Sequence, residues 1–129
     1  MANEEVALTE CQVKDRVLLV RLKLAKLVDP LVAQRLKAEL EEKVNQHQSQ
    51  IVILDFQEVT FVGSVGFLAF LSLRRLPTVQ RVIVCQLDAN IREIFTICRL
   101  IPVGPNTSSP FEEAATVEAA LERSQGFSP

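Results

Sequence analysis

The apolar run Ile51-Val52-Ile53-Leu54, closed by Asp55, constrains the fold more than any other stretch of the chain. Four consecutive large aliphatic residues, three of them β-branched, leave no face for solvent, so the run reads as a strand buried on both sides. Such a strand needs a layer packed above it and another below, which points to an α/β architecture. The next residues support this. The connection Phe56 to Gly63 holds a short β-like run, Val59 to Val62, and from Ser64 an almost wholly apolar segment, VGFLAFLSLRR, reads as a helix. Ser64 is placed to be its N-cap, with Gly63 giving the turn conformational freedom. The same position allows a second role, because a phosphate on Ser64 would meet the positive end of the helix dipole and unpaired N–H groups. Spacing alone leaves both roles open.

The flanking segments extend the pattern. Glu10 to Lys14 and Val17 to Leu24, around Asp15-Arg16, read as a hairpin. Ala25 to Asp29 is a connection, after which Asp29 caps and Pro30 opens a first helix to about Asn45, with Leu31, Val32, Leu36, Leu40 and Val44 at helical spacing. After Leu76-Pro77-Thr78, Gln80 to Cys85 reads as a strand. Asp88 then caps a helix whose Ile91, Ile94, Phe95 and Cys98 form a buried stripe, placing Cys98 in the core, as the apolar strand places Cys85. Ile101 and Val103, flanking Pro102, read as a short edge strand. GPNTSSP is a loop, Phe111 to Arg123 a last helix, Met1 to Leu8 a loose lead-in and residues 124–129 a frayed tail. The expected order is β-β-α-β-α-β-α-β-α: one α/β domain over residues 1–129, with a mixed, mostly parallel sheet of roughly four to five strands and about four helices.

Within the second helix, at about 3.6 residues per turn, Val65, Leu68, Ala69, Ser72 and Leu76 form one stripe and Phe67, Phe70 and Arg74 the opposite one. The small Ala69 and Ser72 suit close packing on the sheet, which turns Phe67 and Phe70 outward as aromatic anchors for a partner. Cover by a neighbouring helix is the alternative for both rings.

Composition narrows the functional classes. With 14 Lys and Arg against 16 Asp and Glu, the chain has a formal charge of −2 and lacks the basic footprint of a nucleic-acid or membrane-surface binder. Cys11, Cys85 and Cys98 show no CxxC spacing, so neither a disulfide framework nor a zinc site is indicated. With no apolar leader and no span-length apolar run, the expected setting is the cytoplasm. No nucleophile–base pair, metal cluster or phosphate loop stands out, so an enzyme is not expected, nor is a cofactor or metal. Gly63, Ser64 and Gly66 resemble the GxSxG nucleophile elbow only superficially. The first glycine adjoins the serine, and the one histidine, His47, lies upstream, against the hydrolase order.

The run LDFQEVTFVGSVGFLAFL, Leu54 to Leu71, resembles the signature of STAS domains, in particular the small bacterial anti-sigma factor antagonists. That signature reads as an apolar strand, Asp, then Val, Thr or Ser, Phe, a hydrophobic residue, Asp, Ser, a hydroxyl residue, Gly and Leu. Leu54, Asp55, Val59, Thr60, Phe61, Ser64 and Gly66 match it, whereas Gly63, Val65 and Phe67 replace the usual Asp, hydroxyl residue and Leu. VLLVRL, DPLVAQRL, RVIVCQLDANIREIFTICRL and FEEAATVEAAL resemble further parts of the family pattern, so nearly the whole chain is covered. KLAKLVDP departs from the family's usual kinase-contacting turn. The resemblance implies phosphorylation of Ser64 by an anti-sigma factor serine kinase, reversed by a phosphoserine phosphatase. Together with the stripes of the second helix and the composition, it gives Asp29, Gly63, Ser64, Val65, Gly66, Phe67, Phe70 and Arg74 as the expected partner-binding set, on a monomer or weak dimer that contacts no nucleic acid and inserts in no membrane. A constitutive STAS scaffold or subunit, for example of a lipid-transport or signalling assembly, is the other reading; in it Ser64 is only a cap.

Overall fold

The computed structural model describes residues 7–104 and 109–125. In chain order it contains β1 (Thr9–Lys14), β2 (Val17–Leu22), β3 (Lys26–Leu27), α1 (Pro30–His47), β4 (Ile51–Asp55), β5 (Phe61–Val62), α2 (Ser64–Leu71), β6 (Arg81–Cys85), α3 (Ala89–Ile97), β7 (Glu112–Ala114) and α4 (Val117–Gln125). A single 3-10 turn, Ser72–Arg75, extends α2.

The expected α/β domain with a mixed sheet is present. The main sheet has five strands in the order β1-β2-β4-β6-β7, antiparallel between β1 and β2 and parallel elsewhere. Central β4 and β6 are buried on both sides, as their unbroken aliphatic runs require. Leu18, Val20, Leu22, Val52, Leu54, Val82 and Val84 meet α1, α2 and α3 in the larger core, while Ile53, Ile83 and Cys85 meet Ala120 of α4 on the opposite face. Burial pushes the Cys85 thiol up to about 12, with the Asp55 carboxylate adding to the shift. The remaining two strands form a parallel pair outside the main sheet, Lys26 facing Phe61 and Leu27 facing Val62.

Several sequence expectations are corrected. The edge strand is Glu112–Ala114, inside the stretch read as helix, and the last helix starts only at Val117. Ile101 to Val103 form no strand. Backbone pairing of residues 112–114 with Ile83 to Cys85, helped by Arg81 gripping Glu112 through two hydrogen bonds of 2.7 Å, outweighs the weak strand propensity of Glu-Glu-Ala. Cys98 is exposed. It is the C-cap of α3, with ψ at 1°, so the helical stripe does not extend to it. The lead-in ends in the core, since Leu8 is buried, and Ser124 is buried within α4. Residues 1–6, 105–108 and 126–129, which hold the rest of the lead-in, part of the loop and most of the tail, lie outside the described residues.

Candidate docking surface

Asp55 starts the connection that carries Ser64. It is 2% exposed, and its Oδ1 accepts from the Gln57 N–H at 2.9 Å, turning the chain as it leaves β4. Phe56 and Val59 then point into the core. Thr60 and Phe61 both donate their N–H groups to the Ala25 carbonyl, which the Thr60 hydroxyl also reaches at 3.1 Å, and the Gly63 N–H donates to the Leu27 carbonyl at 2.8 Å. These bonds fasten the start of α2 to the segment preceding α1.

Gly63, and not Ser64, is the N-cap of α2, with φ −85° and ψ 176°. Ser64 occupies the first helical position, and among the described residues no side chain caps this N-terminus. Gly63 has ordinary extended backbone, so its φ does not require glycine. A Cβ there would lie 3.5 Å from Val28 Cγ1, an ordinary contact. The demanding position is Gly66, where a Cβ would fall 2.6 Å from Leu27 Cδ2 and 2.8 Å from Val62 Cγ1. The absent side chain is what lets α2 lie directly on the β3–β5 pair. The Ser64 side chain is exposed and makes no hydrogen bond among the described residues.

The faces of α2 also differ from the period-based reading. Gly66, Ala69, Phe70 and the following Leu73 are buried, a stripe at i, i+3, i+4 and i+7. Phe70 is fully buried and packs edge-on against Phe56 with ring centroids 5.2 Å apart, so it is no outward anchor. Phe67 is half-buried, edge-on to Phe95 at 5.5 Å. The outward residue is Leu68, 66% exposed. Sequence reasoning misplaced it because nearly every α2 position is apolar. Gly66 was the usable signal: started at the residue that must approach the sheet, the stripe selects the correct face.

Of the remaining expected contact residues, Asp29 is exposed and caps α1, its Oδ1 accepting from Leu31 N–H at 2.8 Å. Val65 lines an open groove of about 480 Å³ between α1 and α2, with Pro30, Ala33, Lys37 and Leu68. Arg74 lies beyond the far end of α2 and donates to the Gln80 carbonyl, away from Ser64. The structure therefore gathers Asp29, Gly63, Ser64 and Val65 near the α2 N-terminus, sends Phe70 inward and leaves Arg74 apart. It adds apolar side chains that the sequence did not mark as exposed: Val28, Leu31, Phe61 and Leu68, from 45% to 70% exposed, with Leu31 standing outside the apolar face of α1 that its spacing suggested.

The STAS domain family model matches residues 9–114. A Bordetella bronchiseptica protein named as an anti-sigma factor antagonist, BtrV, is 29% identical over 99 residues, covering 75% of this chain and 84% of its own. Among solved structures, the anti-sigma factor antagonist SpoIIAA in its unphosphorylated form matches with a TM-score of 0.63 at 19% identity, covering 92% of this chain and 99% of that one. The Bacillus cell fate determinant SpoIIAA in the phosphorylated form matches with a TM-score of 0.62 at 23% identity, covering 90% and 98%.

Proposed function

The chain belongs to the STAS domain family, and on that premise we propose that it is an anti-sigma factor antagonist working by partner switching. Unphosphorylated, it docks on an anti-sigma factor serine kinase through the surface around Ser64. Phosphate on Ser64 releases it, and a phosphoserine phosphatase restores it. The observation that carries this reading is the state of Ser64: exposed, without a hydrogen bond among the described residues, at the first position of a helix that no side chain caps.

The physics of the switch rests on the surroundings. Exposed Val28, Leu31, Phe61 and Leu68, with the groove beside Val65, offer apolar area to a partner around a small neutral hydroxyl. Phosphorylation adds roughly two negative charges there, which a partner packed on apolar side chains would have to desolvate. The unpaired N–H groups of the α2 N-terminus favour the added charge locally, so the domain keeps its fold while the surface changes. The protein acts by binding and needs no catalytic group of its own, and the similarity to BtrV agrees with that role.

Gly63, in place of the Asp usual before the serine, favours the second reading, a constitutive STAS subunit in which Ser64 is not modified. Incubation with the cognate kinase and ATP, followed by intact-mass and fragment mass spectrometry, decides between them. Partner switching predicts a single phosphate, on Ser64, and loss of kinase binding when it is present. Phosphate on Thr60 or Ser72 with Ser64 unmodified refutes the assignment.

A further inference from the structure

Among the described residues β1 is an edge of the main sheet, with β2 as its one strand neighbour. The register runs from Thr9 opposite Leu22 to Lys14 opposite Val17, and it continues to Leu8, whose carbonyl accepts from the Lys23 N–H at 2.8 Å. Hydrogen-bonded and non-hydrogen-bonded positions alternate along an antiparallel pair. Glu10, Gln12 and Lys14, like the Leu8 carbonyl, therefore aim their backbone groups at β2, while those of Thr9, Cys11 and Val13 aim away from the sheet; the Leu8 N–H leaves this pattern and donates to Glu39 Oε1 at 3.2 Å. Glu39 takes the Thr9 N–H at 2.9 Å, and among the described residues no strand lies beyond Cys11 and Val13.

We propose that this edge pairs with the β1 edge of a second copy of the chain, antiparallel about Gln12, so that one sheet runs through a two-fold symmetric dimer. In that register the outward backbone groups of Cys11 meet those of Val13 in the partner, forming hydrogen-bonded pairs of the correct parity. Glu10 falls opposite the partner's Lys14, and the pair occurs twice by symmetry. Gln12 faces its own copy. A register centred on Cys11 or Val13 loses both charge pairs.

The charges on this strand are available for that use. Lys14 is exposed with no ion pair among the described residues, and Glu10 makes only long contacts, 3.9 Å to Arg21 and 4.0 Å to Lys23, with its side chain 63% exposed. Val13, 41% exposed, would gain cover. A lone edge lysine ordinarily discourages strand addition. Here a glutamate stands where the two-fold axis brings it to that lysine, so the same charge selects the second copy. The other edge, β7, has three residues, and its two glutamates are held by Arg81 and Arg92. Pairing through β1 alone closes at a dimer. The ribbon is short, below the roughly 1,200 Å² typical of stable complexes, so the dimer is concentration-dependent.

Sedimentation equilibrium of the full chain, from micromolar to millimolar concentration, tests the proposal independently of Ser64. A monomer–dimer equilibrium is expected. Glu10→Lys alone and Lys14→Glu alone should each weaken it roughly tenfold. An equimolar mixture of the two variants should recover it, because each chain then meets opposite charge at both pairs. A monomer at every concentration overturns the proposal, as does a dimer that neither reversal weakens or a mixture that fails to recover.

Discussion

Gly63 and Gly66 stand three residues apart and respond oppositely to a side chain. At Gly66 a Cβ would meet Leu27 Cδ2 at 2.6 Å and Val62 Cγ1 at 2.8 Å, closer than packed atoms tolerate. Overpacking of this kind costs about 1–3 kcal/mol, against which alanine's better helix propensity returns up to about 1 kcal/mol. Gly66→Ala should therefore destabilise the fold. Gly63 has room for a Cβ, an extended backbone and the N-cap position, so Gly63→Asp should stabilise it by a few tenths of a kcal/mol, about the gain expected over glycine at an N-cap. Urea denaturation of both variants checks the pair, and equal midpoints would show that α2 does not rest on β3 and β5 as described. At this scale the sequence was partly legible. Asp29 and Asp88 are the caps their positions announced. At Ser64 the chain offered two small residues that can each cap a helix, and hydrogen bonds from residues 60–63 to the remote Ala25 and Leu27 carbonyls set where helical backbone begins.

The elements legible from the sequence are those whose pattern is local. The hairpin, α1, β4, β6 and α3 follow from apolar runs, periodicity and caps, whereas β7 exists through its partners. Glu112, Glu113 and Ala114 carry no strand signal, but Glu112 joins Arg81 on β6, and Glu113 joins Arg92 on α3 at 2.8 Å. The Glu112 carboxyl is held below its ordinary value of 4.5, first by the hydrogen bonds from Arg81. A carboxylate with a depressed folded value contributes stability that is complete above its unfolded value and lost as pH falls through the folded one. Glu112→Gln should thus lower stability at neutral pH and flatten its acid loss below about pH 4.5. Denaturant midpoints measured against pH, with far-UV circular dichroism as the readout, test this. A parallel shift of the whole pH curve would mean that Glu112 acts by packing alone.

For the whole molecule, two populations of apolar residue on one side of the sheet have separable tasks. Phe56, Phe70, Phe95 and Phe111 form an aromatic chain in the core, with neighbouring rings 5.2 to 6.2 Å apart, and all four are fully buried. Leu68 lies on the same helix as Phe70 but faces solvent and the α1–α2 groove. Phe70→Ala should cost about 3–5 kcal/mol of folding stability, the scale for truncating a buried aromatic. Leu68→Ala should change stability by less than about 0.5 kcal/mol, as expected for an exposed position. It should nevertheless weaken binding to the proposed kinase partner by about 1–2 kcal/mol, because the exposed apolar area near Ser64 is what such a partner would cover. Ser64→Glu, an imperfect stand-in for phosphate, should leave the fold intact and reduce the same binding. Phe67→Ala belongs between the two, since its ring is half-buried against Phe95 and its loss removes an edge-to-face contact of about 0.5–1.5 kcal/mol together with buried area. Thermal melts and titration calorimetry on the four variants separate the tasks. Wild-type affinity in both folded Leu68→Ala and folded Ser64→Glu would move the docking surface away from α2.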